Sequence, residues 1–313
     1  MTDLRFDGRV AVVTGAGRGL GRAYAQLLAA RGARVVVNDL GSSMEGTGAD
    51  AGPASRVVDE IVDAGGTAVS DINDISTTAG AEALVDRAVS EFGKLDILVN
   101  NAGIVRYGTL PELDVDHVAS HLDVHLLGSF NTMRAAWPHF VERSYGRVVH
   151  TTSSGIFGLE NNLPYAAAKA GTIGMARSAR LAGEPHNIKV NLIAPAAQTR
   201  MAGGDPLGEQ PEQAHEESFM PPSAVAPMVA VLSHESCPVS GEIYAAGAGR
   251  FARVFIGHTQ GYLTSESATA EDVVAHWDEI NDETSYYVPV DLMSWSGTFL
   301  THLFAQDAAT AQT

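Results

Sequence analysis

The stretch RVAVVTGAGRGLG (Arg9–Gly21) decides the fold. RVAVVT (Arg9–Thr14) is a short, unbroken apolar run of the kind that forms a strand buried on both faces. Glycines follow at 15, 17, 19 and 21, and a helical pattern runs from about Leu20 to Ala30. A glycine-rich turn between strand and helix removes the Cβ atoms that would keep a pyrophosphate away. It also leaves unpaired N–H groups at the positive end of the helix. The literal G-x-G-x-x-G fingerprint is not met, because Leu20 follows Gly19; the pattern is TGxxxGxG.

Outward from this turn the same alternation repeats. ARVVVND (Ala33–Asp39), GTAVSDI (Gly66–Ile72), LDILVN (Leu95–Asn100), GRVVHTT (Gly146–Thr152), NIKVNLIA (Asn187–Ala194) and GEIYAA (Gly241–Ala246) read as strands. Helical patterns cover Ala54–Ala64, Ala79–Phe92, about Asp114–Arg143 and Pro164–Glu184. The expected fold is α/β: a doubly wound parallel sheet of Rossmann type, about seven strands with helices on both faces, plus a C-terminal extension. Residues 1–249 form the expected catalytic domain, with a Gly-, Pro- and acid-rich lid over 196–222. Residues 250–313, with one helical pattern near Ala270–Ile280, form an arm expected to pack on the core or on a neighbouring subunit.

Composition excludes several classes. The 313 residues carry 20 Lys+Arg against 37 Asp+Glu, a formal charge of −17, which offers no electrostatic footprint for nucleic acid or an anionic membrane. The lone Cys237 has no intramolecular partner, and MTDLRFDGR lacks the apolar region of a signal peptide. The expected setting is cytoplasmic.

Asp39, at the end of the second strand, is placed to bond both ribose hydroxyls and to repel a 2′-phosphate, which favours NAD over NADP. Arg18 is the counter-signal, since a base there suits that phosphate. Asp74 and Ile75, past the third strand, reach towards an adenine; the other reading of Asp74 is a cap on the next helix. Tyr165 and Lys169 lie four apart in YAAAK and share a helix face. An ammonium beside a phenol favours phenolate, which takes a proton from an alcohol or returns one to a carbonyl. His117, His121 and His125 are spaced for one helix face, yet no third-ligand motif accompanies them, so no metal is expected.

TGAGRGLG, NNAG (Asn100–Gly103), a serine pair ending the fifth strand and YAAAK occur in the order of the short-chain dehydrogenase/reductase family, which the chain resembles over roughly Asp7–Gly249. VVVNDLG, VHLLGSF, RAAWPHF, IAPAAQTRM and SHESCPVSGEIYAAGAG narrow the resemblance to one branch. That branch is the (3R)-hydroxyacyl-CoA dehydrogenase domain of peroxisomal multifunctional enzyme type 2, also described as 17β-hydroxysteroid dehydrogenase type 4, with its stand-alone bacterial relatives.

The resemblance implies Tyr165 as general acid/base, Lys169 as the group that lowers its pKa and holds the nicotinamide ribose, and Ser153 as the residue fixing the substrate oxygen. Ser153 sits one residue closer to the tyrosine than is usual, and the adjacent Ser154 is kept as the alternative. His125 stands where the family has an Asn, and its main-chain carbonyl is implied to hold a relay water. Gly15, Gly17, Arg18, Gly19, Leu20, Gly21, Asp39, Asp74, Ile75, Asn101, Ala102, Gly103, Pro195 and Thr199, with Tyr165 and Lys169, are the implied cofactor contacts. Asn100 and Gly103 are implied to support that cavity and Thr199 and Ile193 to flank the nicotinamide carboxamide, while Gln198 and Arg200 are candidates for the entrance or an ordinary surface loop.

The expected activity is interconversion of a lipophilic secondary alcohol, hydroxysteroid-like or alicyclic, and its ketone. (3R)-Hydroxyacyl-CoA dehydrogenation and NADP-linked ketone reduction are the alternatives. The lid sets Asp205, Glu209, Glu212, Glu216 and Glu217 against Arg200, which argues against a polyanionic CoA docking on it. A small-molecule substrate and a homodimer or homotetramer complete the expectation.

Overall fold

The computed structural model describes residues 3–158, 160–202, 217–264 and 267–303. They fall into two compact units, Met1–Arg253 and Val254–Thr313. In the first, β1 (Val10–Thr14), β2 (Arg34–Asn38), β3 (Thr67–Asp71), β4 (Ile97–Asn100), β5 (Gly146–Thr151), β6 (Ile188–Pro195), β7 (Ile243–Gly247) and β8 (Arg250–Val254) form one sheet. Its order is β3-β2-β1-β4-β5-β6-β7-β8. Strands β1 to β7 pair in parallel, and the order reverses direction between β1 and β4. Helices α1 (Gly19–Ala30), α2 (Gly52–Asp63), α3 (Thr78–Phe92), α4 (Val115–His121), α5 (Gly128–Arg143), α6 (Leu163–Gly183) and α7 (Ala226–Ser233) surround it. The central strands are wholly buried, as their uninterrupted Val/Ile/Leu runs require.

Two departures from the sequence reading have physical causes. The eighth strand, RFARV, is largely exposed and lacks an apolar run, so a pattern search for buried strands passes over it. Ala248 and Gly249, with φ of 48° and 74°, form a two-residue turn that folds it back beside β7 as an antiparallel edge. The helix expected over Asp114–Arg143 widens into a π-helical stretch at Leu122–Leu127, between α4 and α5. Inserted π turns recur at functional sites, and this one carries His125.

The lid expected over 196–222 is described only at its flanks, where the Gln198 N–H donates to the Met220 carbonyl at 2.7 Å. Asp205, Glu209, Glu212 and Glu216 lie outside the described residues. In the second unit, His258–Thr259 pairs antiparallel with Tyr286–Tyr287. The pattern near Ala270–Ile280 resolves into two short helices, α8 (Ala270–Ala275) and α9 (Trp277–Ile280), divided at His276, and α10 (Leu292–Phe299) follows. A capping box between Thr269 and Asp272 starts α8.

At the amino end of the sheet, opposite the glycine turn, Arg147 is 2% exposed. Its guanidinium donates to the carbonyls of Gly146 (2.7 Å), Asn187 (2.8 Å), His234 (3.1 Å) and Glu235 (3.2 Å). The Tyr145 ring lies between it and the Arg9 guanidinium, at 4.4 and 3.7 Å. One fork thus ties β5 to the segments preceding β6 and following α7. Arg147→Ala strands several buried carbonyls, and we expect a loss of about 3 kcal/mol in urea unfolding. Arg147→Lys should recover little of it, because an ammonium cannot reproduce the planar fork.

Candidate active site

A cleft of about 740 Å³ opens at the carboxyl ends of the strands, where the order reverses between β1 and β4. Open α/β sheets place their ligands at this point. Its lining joins the glycine turn, the end of β2, the loops after β3, β4 and β6, and the start of α6.

The turn is built as the sequence implies. Gly19 has φ of +51°, and the space where its side chain would stand is free of close neighbours, the nearest being the Thr199 methyl at 3.5 Å. The Gly17 N–H donates to one Asp39 oxygen at 2.7 Å and the Gly41 N–H to the other at 2.7 Å. Asp39 follows β2, faces the cleft, and keeps lone pairs on both oxygens for further donors. Arg18 also lines the cleft, and its Nη1 is buried without a partner. The Asp74 carboxylate accepts from the Ser76 N–H at 2.9 Å, while Thr77 caps α3 by accepting from Gly80. The capping alternative for Asp74 therefore passes to Thr77, and Asp74 and Ile75 face the cleft.

Thr14 closes the turn against β4. Its hydroxyl accepts from the Asn101 and Ala102 N–H groups at 3.0 and 3.1 Å, and the Asn101 amide donates to the Thr14 and Gly15 carbonyls. Asn101, Ala102, Gly103, Pro195, Thr199, Gly15 and Leu20 line the cleft. Gly17, Gly21, Asn100 and Ile193 stand behind it: Ile193 is buried in β6, and the Asn100 amide is engaged with Ser129, Thr132 and His150. Of the two entrance candidates, Arg200 faces the cleft and Gln198 does not. A dinucleotide suits this set: an acid after β2, a cation without a partner, and a helix start with no side chain across it.

The reactive side chains meet at the other end. Ser153 ends the loop after β5, and its hydroxyl accepts from the Gly155 N–H at 3.0 Å; Ser153 and Tyr165 both line the cleft. Ser154 lines the cleft as well. Burial raises the Tyr165 pKa, and the Ser153 hydroxyl opposes it. Lys169 is 3% exposed; its ammonium donates to the Thr151 carbonyl at 2.7 Å and lies 5.7 Å from the Tyr165 ring centre. Burial brings its pKa from 10.5 down to about 7.

Two histidines clamp the loop after β4. The His125 Nε2 lies 2.8 Å from the Ile104 carbonyl and 3.2 Å from the Ile104 N–H, so as a donor it serves the carbonyl and leaves Nδ1 buried without a partner. Gly103 permits this, because a Cβ there would stand 2.4 Å from His125 Cε1. One turn earlier, His121 donates through Nδ1 to the His117 carbonyl and accepts at Nε2 from the Arg106 N–H. The two rings stack at 5.9 Å, and both meet Tyr165 edge-on. Burial lowers the pKa of both, most strongly for His125, where the Lys169 charge adds to it. These bonds employ the spacing that would suit a metal, and among the described residues no cluster of His, Cys, Asp and Glu could hold one. Sequence reasoning missed the part played by His121 and the cleft positions of Arg106, Tyr107 and Asn162. Only the helical spacing of the histidines hinted at the first.

The family model described as short chain dehydrogenase matches residues 9–206. The chain is 44% identical to the putative short-chain type dehydrogenase/reductase Rv0148 of Mycobacterium tuberculosis, over 88% of this chain and 94% of that one. It is 39% identical to the hydroxyacyl-CoA dehydrogenase ChsB1 of the same organism, over 78% of each. Full-length peroxisomal multifunctional enzyme type 2 from Drosophila melanogaster superposes with a TM-score of 0.78 at 34% identity; the match covers 96% of this chain and 50% of that one. A 7α-hydroxysteroid dehydrogenase complexed with NADH and 7-oxo glycochenodeoxycholic acid superposes with a TM-score of 0.68 at 29% identity, covering 80% of this chain. With its motifs in order on the expected fold, the chain belongs to the short-chain dehydrogenase/reductase family of oxidoreductases, in the branch of peroxisomal multifunctional enzyme type 2.

Proposed function

We propose that the protein is an NAD-dependent dehydrogenase that interconverts a 3-hydroxyacyl thioester and its 3-keto partner. The observation that carries the reaction class is the meeting of Ser153, Tyr165 and a buried Lys169 on one cleft, with the Lys169 ammonium 5.7 Å from the Tyr165 ring centre. When bound, the nicotinamide supplies the hydride acceptor for the carbinol hydrogen. The Ser153 hydroxyl holds the carbinol oxygen, and Tyr165 takes the hydroxyl proton as the carbonyl forms. Because burial keeps Tyr165 a neutral phenol, it takes that proton only as it passes its own towards Lys169, whose pKa of about 7 leaves part of it a free amine near neutral pH. The thioester reading is supported by the name of ChsB1 and by the Arg106 and Arg200 guanidinium groups on the cleft lining, which complement a phosphorylated carrier. A second reading, a lipophilic alcohol such as a hydroxysteroid, draws on the likeness to the 7α-hydroxysteroid dehydrogenase and on the acidic lid sequence.

Asp39 supports NAD, because a 2′-phosphate would meet a carboxylate already fixed by two backbone N–H groups. We also infer a cytoplasmic homodimer or homotetramer. Leu127, Phe130 and Leu181, exposed at the π stretch, α5 and α6, support association through these helices.

The reaction reading is checked by absorbance at the NADH band. A 3-hydroxybutyryl thioester should turn over faster than alicyclic or steroid alcohols; the reverse order would give the second reading. Tyr165→Phe should lower kcat by about 10²- to 10⁴-fold while leaving NADH binding measurable by fluorescence. Oxidation needs the deprotonated relay, so its kcat/KM should rise with pH through about 7, and reduction should fall. Lys169→Met should remove that limb of the profile. For the cofactor, kcat/KM with NAD should exceed that with NADP, and Asp39→Ala should narrow the gap by about tenfold or more.

A further inference from the structure

Asn162 stands immediately before α6, three residues ahead of Tyr165, in the N-cap position. An Asn there normally accepts from the second or third N–H of the helix. Here the second helical residue is Pro164, which has no N–H, and the Asn162 side chain makes no capping bond to the third, Tyr165. Its amide is instead part of the cleft lining, yet the residue is only 3% exposed, and its Oδ1 is buried with no partner. The backbone around it is fixed. The Asn161 carbonyl accepts from the Gly108 N–H at 3.0 Å, and the Asn162 carbonyl accepts from the Ala166 N–H at 3.0 Å. A rigid stem thus holds an unsatisfied amide one helical turn from the phenol that handles the proton.

Polar groups buried without a partner are rare, and one at the wall of a ligand cavity is a group awaiting a ligand. Because Nδ2 and Oδ1 exchange places by a half-turn of the amide, the side chain can present a donor or an acceptor. We propose that Asn162 is a specificity-determining residue that donates from Nδ2 to the acyl carbonyl of the substrate while Tyr165 and Ser153 engage the carbinol oxygen. This rests on the 3-hydroxyacyl reading above. A β-hydroxyacyl group carries two oxygens on alternate carbons, and Asn162 and Tyr165, three residues apart across the start of α6 and both on the cleft lining, suit two such points. The amide then distinguishes a β-hydroxyacyl compound from a simple secondary alcohol, whose binding leaves it unpaired.

The test compares wild type, Asn162→Ala and the near-isosteric Asn162→Asp, which keeps an acceptor and loses the donor. Each is assayed with 3-hydroxybutyryl-CoA and with cyclohexanol, and NADH binding is followed by fluorescence. Both variants should lower the ratio of kcat/KM for the thioester over cyclohexanol by about tenfold or more, mainly through KM, with the NADH Kd within twofold of wild type. An unchanged ratio, from full retention or from equal loss on both substrates, overturns the assignment while leaving the thioester reading intact. Asp behaving as wild type overturns the donor role. Wild type that oxidises cyclohexanol but not the thioester overturns the thioester reading, and the Asn162 assignment falls with it.

Discussion

An ammonium group buried at the carboxyl end of a parallel sheet is the constraint on which this cleft depends. Lys169 is placed by its own backbone as much as by its side chain. The Thr152 and Thr172 hydroxyls donate to its carbonyl, at 2.9 and 2.6 Å, while its Nζ donates to Thr151. Helix α6 is thereby fastened to the end of β5 at the residue whose charge matters. Burying a cation is costly unless it is neutralised or paired, and lowering its pKa to about 7 is how this fold accommodates it. The same charge acts on its neighbours. His125 and His150, both fully buried, are held neutral by desolvation reinforced by Lys169, with His150 pushed down to about 3. Lys169 thus changes charge near neutral pH, while burial holds His125 and His150 neutral beside it.

The walls of the cleft are set by bonds to backbone. Thr14 ties the glycine turn to the start of the loop after β4, and His125 and His121 hold the same loop at Ile104 and Arg106. The Val105 N–H donates to Met44 and the Arg106 Nε to Glu45, so the loop after β2 is drawn in as well. The π stretch belongs to this arrangement. Inserting it lets α4 and α5 continue as one rod while His125 turns inward beside Gly103. The reversal of strand order opens the space, and these bonds give it shape on both sides.

Much of this was legible because it follows from period and backbone demand. Unbroken apolar runs mark strands buried on both faces, and glycines after β1 mark a turn that a side chain would obstruct. Tyr165 and Lys169 share a face because four residues make about one helical turn. What escaped depends on local chemistry without a repeating pattern. RFARV forms a strand through its turn and its neighbour rather than its own hydrophobicity. The widening at Leu122–Leu127 leaves no composition signal, since Leu, Val and His suit α and π turns alike. Asn162 carries no sequence signal of its own, and its missing capping bond and unpaired Oδ1 are seen only in the structure. Ser153 and Ser154 differ by one register step and both line the cleft, so the period of the sequence does not separate them.

The charge of −17 takes on a different meaning beside this geometry. Debye screening confines the field of surface acids to about 8 Å at physiological salt, so the net charge says little about a ligand inside a cleft. What such a ligand meets are the groups on the lining: Arg18 near the glycine turn, Arg106 and Arg200 on the loops after β4 and β6, and Lys169 at the base. Asp39 and Asp74 are engaged with backbone N–H groups, which moderates their repulsion. Among the described residues the lining sets Arg18, Arg106, Arg200 and Lys169 against Asp39, Asp74 and Asp123, so the acidic excess of the whole chain is not carried into the cleft.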